Sequence, residues 1–158
     1  MGTQHIEVPT IMGKLKLENK LEKGDKIIYA GIRARMNAET RQCFPSIPYL
    51  KKTLKVGQTR IEGAIKRLVA ADLLVVTNEG VGKKQIYTFP KTEFDKQFEM
   101  FTEEFLLLDM PIEVKEYYMD IQQFLYGKET GTGKCYLPNT TLSEKTGWSI
   151  YWIKKNNA

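Results

Sequence analysis

Histidine and cysteine are scarce in this 158-residue chain, with one of the first and two of the second. The single histidine, His5, stands near the start, which argues against histidine-based triads, HExxH zinc chemistry and facial-triad iron sites. Cys43 and Cys135 lie 92 residues apart, a spacing that makes neither a disulfide scaffold nor a zinc site. They read as core thiols rather than reactive ones. Long apolar runs are also missing: none approaches the ~18 residues that cross a bilayer. Met1 to Lys14 lacks the apolar core of a secretory signal, so a cytoplasmic location is expected. The run Ile6 to Leu21 has some amphipathic content but no Trp/Phe face, so no membrane partner is expected either.

Catalytic signals are equally thin. The segment Gly127 to Cys135 brushes against a phosphate-binding loop, but the frame starts at Lys128 instead of Gly, and Cys135 replaces Ser or Thr. Glu103, Glu104 and Asp109 have no companions at metal-ligand spacing. The chain is therefore expected to be non-enzymatic, with no catalytic residues, no metal and no cofactor.

What the chain does have is ordinary globular composition, 42% hydrophobic and 27% charged, enough for one domain or two small ones. Its net charge of +5 is unevenly spread. Residues 51–67 carry 6 basic side chains and 1 acidic, whereas residues 91–129 carry 4 basic and 10 acidic. A cationic block of that density points to a polyanionic partner, and the acidic middle to a surface that avoids it.

Periodicity supplies the elements. Ile28, Ile32 and Met36 predict a helix over Asp25 to Asn37. Cys43-Phe44-Pro45 reads as a brief strand, and Ser46 as the N-cap of a helix carrying Tyr49, Leu50 and Leu54. Lys55-Val56-Gly57 is a tight turn. Gln58 to Ala71 is a second helix with Ile61, Ala64, Ile65 and Leu68 on one face, ended at Asp72. Leu73 to Asn78 and Lys84 to Phe89 are strands of a hairpin with a Gly-containing tip.

The second half repeats this order. A shift of 92 places Cys43-Phe44 on Cys135-Tyr136, Leu50 on Leu142, Val56 on Trp148 and Ile61 on Ile153. The first helix matches at a shift of 89, with Lys26 on Lys115, Tyr29 on Tyr118 and Ile32 on Ile121. Two units are expected, 1–90 and 91–158, the second with its wing absent or truncated. Phe94, Phe98, Phe101, Phe105 and Leu106 to Leu108 are expected to join them, with the acidic side chains facing away from the polyanion.

The stretch Tyr49 to Leu68 resembles the helix-turn-helix pattern of DNA-binding proteins, with Leu50, Leu54, Val56, Ile61, Ile65 and Leu68 as its locking apolar positions. The tail Leu68 to Leu74 looks like the junction of a third helix with a wing strand. The resemblance is to winged-helix domains of plasmid and phage replication initiators. In tandem arrangement and size the chain is similar to the TraN-type DNA-binding proteins of Gram-positive conjugative plasmids. Departures are Gly57 at the usual polar N-cap, Lys55 at the usual turn glycine, and the missing second wing. The resemblance implies a mainly α fold with small β wings, two tandem winged helix-turn-helix units forming an internal pseudo-dimer. It also implies double-stranded DNA as partner, at a transfer origin, a replication origin or a promoter. Two other readings stay open: a protein-docking winged helix, and the N-terminal part of a replication initiator.

In such a pair the second helix enters the major groove. With Ile61, Ala64, Ile65 and Leu68 inward, the outward set is Gln58, Thr59, Glu62, Gly63 and Lys66, flanked by Arg60 and Arg67. Gln suits adenine, Arg suits guanine, and Thr can meet a thymine methyl. Glu62 is read as orienting Arg60 or Lys66. Arg60→Ala is accordingly expected to relax base preference. Lys51, Lys52 and Lys55, with Lys83 and Lys84 at the wing tip, suit phosphates. In the second unit Ser149 caps a helix, Trp148 and Ile153 are core, and Tyr151, Trp152, Lys154, Lys155 and Asn156 are candidates for DNA contact. Two different reading helices in one chain predict an asymmetric site with half-sites about one helical turn apart.

Overall fold

The helix Asp25–Arg33 is buried along its whole length, and the other elements are arranged around it. The computed structural model describes residues 5–78, 85–90, 98–108, 110–122, 125–126, 134–135, 139–146 and 148–156. In chain order the elements are β1 His5–Pro9, α1 Ile11–Leu17, α2 Asp25–Arg33, β2 Gln42–Cys43, α3 Ile47–Leu54, α4 Gln58–Ala70, β3 Val75–Asn78 and β4 Gln85–Thr88. There follow β5 Phe98–Thr102, α5 Glu103–Leu106, α6 Ile112–Gln122, β6 Leu125–Tyr126, β7 Lys134–Cys135, α7 Asn139–Thr146 and α8 Ile150–Asn156. Among the described residues no helix is long and apolar enough to cross a membrane.

Local chemistry sets the boundaries. Ser46 accepts a hydrogen bond from the Tyr49 amide at 3.1 Å and starts α3, which ends where Lys55 takes φ 57°. Gly57 precedes α4 in extended geometry. That helix ends on Asp72, left-handed at φ 61°, with the Leu73 amide donating back to the Leu68 carbonyl at 3.0 Å. The same closure ends α1: Asn19 has φ 61° and the Lys20 amide reaches the Leu15 carbonyl at 2.9 Å. The helix expected to run to Asn37 stops at Arg33, and the Met36 amide closes a turn on the Arg33 carbonyl.

Strands β2, β4 and β3 form an antiparallel sheet in that order, with Cys43 and Val76 both opposite Tyr87. Tyr87 and Phe89 carry the sheet onto α2, where Phe89 meets Tyr29 edge-on at 5.3 Å. The Cys43 thiol donates to the Ile32 carbonyl at 3.3 Å, and burial pushes its pKa up to about 12, as befits a core thiol. Residues 79–84, including Lys83 and Lys84, lie outside the described residues.

A second sheet joins the start of the chain to the start of its second half. β1 pairs antiparallel with β5, Ile6 opposite Phe101 and Glu7 opposite Met100. Ile6, Val8 and Phe101 face the core. The later elements follow the order of the earlier ones: Gln42–Cys43, Ile47–Leu54 and the start of Gln58–Ala70 correspond at an offset of 92 to Lys134–Cys135, Asn139–Thr146 and the start of Ile150–Asn156. β6 pairs with β7, Leu125 opposite Cys135.

Only part of the expected apolar joint is used. Phe101 and Leu106 are buried and Phe105 packs beside them, but Leu107 and Leu108 are 51% and 48% exposed. Phe94 and the side chain of Phe98 lie outside the described residues. The acidic stretch is not all surface: Glu113, Glu116 and Asp120 point into the first half. Glu116 accepts from the amides of Gly24 at 2.6 Å and Lys26 at 3.0 Å, and so caps α2. Asp120 accepts from Lys26 Nζ at 3.1 Å, from Trp148 Nε1 at 2.7 Å and from Lys16 Nζ. The ammonium groups of Lys16 and Lys23 also lie 5.0 and 4.7 Å from the Trp148 ring centre. Buried charges persist only when paired in this way.

Candidate nucleic-acid interface

The pair α3–α4 is set against α2 by apolar contacts. Leu50, Leu54, Ile61, Ala64 and Leu68 are all buried, and Ile65 is partly so. Gly31 permits the close approach, because a Cβ there would stand 2.8 Å from Leu54 Cδ1. With that face inward, α4 presents Gln58, Thr59, Glu62 and Lys66 to solvent, and Gly63 is half-exposed beside them. Lys51, Lys52 and Lys55 are exposed on α3 and its closing turn. An open cleft runs between α4 and the sheet, lined by Ile47, Glu62, Ile65, Lys66, Val69, Val76 and Gln85.

The two arginines of α4 are engaged with the body of the protein. Arg60 donates to Glu113 Oε1 and to the Lys23 carbonyl, both at 2.7 Å. Burial pushes the Glu113 carboxyl up, but the Arg60 hydrogen bond, its own backbone amide and the positive charges of Arg60 and Lys23 outweigh it and leave the pKa below the usual value. Arg67 forms a bidentate pair with Asp25, 2.6 and 2.8 Å, and a further contact with Glu22 at 3.4 Å. The hydrogen bond to Asp25 raises the arginine's pKa further. Gly63 lies next to this pair, for a Cβ there would stand 3.3 Å from Arg67 Nη1. Glu62, read from the sequence as orienting Arg60 or Lys66, instead accepts from Gln58 Nε2 at 2.8 Å.

In the second half Trp148 and Ile153 are buried, as their pattern predicts. Tyr151 is 76% exposed, and Ser149, Lys154 and Lys155 are exposed around it. The side chains of Trp152 and Asn156 lie outside the described residues.

Sequence reasoning missed the charged joint of Lys16, Lys26, Glu116 and Asp120. One signal was available: Lys26 and Lys115 fall on equivalent positions of two helices, and both are buried. A buried lysine needs an acceptor, and the acidic second half holds the acceptors. Lys115 itself donates to the Leu106 carbonyl.

No curated protein and no solved structure matches the chain. Residues 18–74, which contain α2, β2, α3 and α4, match the family model of a helix-turn-helix domain, and the match supports a winged-helix-like DNA-binding domain in this part of the protein.

Proposed function

We propose that the chain is a sequence-specific double-stranded DNA-binding protein without catalytic activity. The observation that carries the reading is the outward face of α4, where Gln58, Thr59, Glu62 and Lys66 stand exposed on the second helix of a helix-turn-helix, beside exposed Lys51, Lys52 and Lys55. The lysines supply salt-dependent attraction to phosphates, and the polar side chains of α4 read base edges. Lys83 and Lys84, at the sequence position of a wing tip, add phosphate contacts on one flank. Arg60 and Arg67 hold α4 in place rather than reading bases, because carboxylates already occupy both guanidinium groups.

In the same reading residues 1–90 and 91–158 are two units of an internal pseudo-dimer. Support comes from the matching element order and from the β1–β5 ladder. At an offset of 93, β1 corresponds to β5, and the register then sets Glu7 against its own counterpart Met100. That is the self-complementary pairing a two-fold axis produces. Tyr151, Lys154 and Lys155, with Ser149, Trp152 and Asn156, form the second reading surface. It differs from α4, so the DNA site is asymmetric, with half-sites about one helical turn apart. In keeping with the sequence resemblance to plasmid proteins, the proposed site is a transfer origin, a replication origin or a promoter, with the protein acting in the cytoplasm as a regulator or accessory factor of conjugative transfer.

Selection of bound fragments from random and plasmid DNA libraries tests the reading. An enriched asymmetric motif supports it. Equal recovery of all duplexes, with an affinity that ignores salt, contradicts it and favours a protein-docking role.

A further inference from the structure

The hydrogen bond between Gln58 and Glu62 spans one turn of α4 on its exposed face. A carboxylate only accepts, so the Gln58 amide must turn its nitrogen toward Glu62. This settles the orientation of a group whose nitrogen and oxygen ends are otherwise interchangeable. The nitrogen carries two hydrogens and Glu62 takes one. The amide's oxygen and its second N–H then remain available to an incoming ligand, one acceptor and one donor a single carbon apart. In the major groove adenine offers the complement, with N7 accepting and the N6 amino group donating. Guanine offers two acceptors, thymine an acceptor and a methyl, and cytosine a donor alone. Only adenine satisfies both ends of the fixed amide.

We propose that Glu62 is a positioning residue: it holds Gln58 in the adenine-reading orientation, so the base pair under the first turn of α4 is specified as A·T. The inference rests on the duplex-binding reading above. It also accounts for a carboxylate on a face that meets a polyanion. Glu62 repels phosphates on every sequence alike, and in exchange it limits what Gln58 can recognise. Without it the amide rotates and can offer its nitrogen to the acceptors of guanine.

The test is competition binding on the selected site and on copies carrying each base pair at the Gln58 position, with a random duplex as reference. The proteins are wild type, Glu62→Ala, Glu62→Gln, Gln58→Ala and the double Ala variant, each with its melting temperature measured to confirm folding. Wild type is expected to prefer A·T over G·C on the order of tenfold, the value of one bidentate pair. Glu62→Ala is expected to bring that ratio near unity while binding the random duplex more tightly. Glu62→Gln, which still offers an acceptor, is expected to restore part of the preference. In the Gln58→Ala background the loss of Glu62 is expected to change the preference no further. An undiminished A·T preference in Glu62→Ala, or a wild-type preference for another base pair, overturns the assignment. Failure of wild type to bind any duplex overturns the proposed function instead.

Discussion

Replacing Asp120 with Ala probes the joint between the two halves. Asp120 is 3% exposed and takes hydrogen bonds from Lys26, Lys16 and the Trp148 indole. Truncation leaves the Lys26 ammonium and the indole N–H without this acceptor where little water reaches, and leaves Lys16 only a longer contact with Glu116 at 3.8 Å; the lysine side chains are only 8% and 9% exposed. Removing one partner of a buried ion pair costs about 3–5 kcal/mol, because the remaining charge stays desolvated. That is a large share of the roughly 5–15 kcal/mol that holds a domain together. For a chain of this size it corresponds to a fall in melting temperature of roughly 10 °C. Urea denaturation followed by circular dichroism and tryptophan fluorescence measures it. Lys26→Met should recover part of the loss in the double variant, since the stranded charge is then gone. A loss below about 1 kcal/mol, the range of a solvated surface pair, would refute the reasoning.

Other consequences are as direct. Burial pushes the Glu116 carboxyl up to about 7, the charge of Asp120 adding to it and Lys16, the Gly24 amide and Lys26 opposing. The folded state therefore binds this proton more tightly than the unfolded chain, and the contribution to stability is full below about 4.5 and lost as pH rises through about 7. Glu116→Gln should flatten the fall in urea midpoint between pH 5 and 8. Gly31→Ala should destabilise by about 1–3 kcal/mol through overpacking against Leu54, read from thermal melts. Arg60→Ala, whose guanidinium is held by Glu113 and the Lys23 carbonyl, should cost about 1 kcal/mol or less in stability and leave the selected base motif unchanged. A relaxed motif would return Arg60 to the reading surface.

The helix-turn-helix was legible because its signals are local. Ser46, the Leu50/Leu54 spacing, the Ile61/Ala64/Leu68 face and Asp72 each act within a few residues, and each appears at the expected place. The seven residues of α1 gave no such signal: the helix is short and contains Gly13, a poor helix former. β1 could not be recognised as a paired strand because its partner starts more than ninety residues later. The charged part of the joint was missed for a different reason. Glu113, Glu116 and Asp120 belong to a strongly acidic stretch, and charge in such a stretch ordinarily faces water. Only the positions of Lys16, Lys26 and Arg60 in space show that these carboxylates have cationic partners. The same holds for Arg60 and Arg67, which the helical wheel placed on the flanks of the reading face and which carboxylates draw to the body.

The central claim is that α4 and the lysines before it seat the protein on duplex DNA. The affinity for a selected duplex, measured across a salt series for wild type and Lys51→Ala, tests it most directly. The account predicts a log–log decline with salt, a slope shallower by about 1 in the variant, and the same preferred motif in both. An affinity that stays level across the series, or a Lys51 variant indistinguishable from wild type, would contradict it.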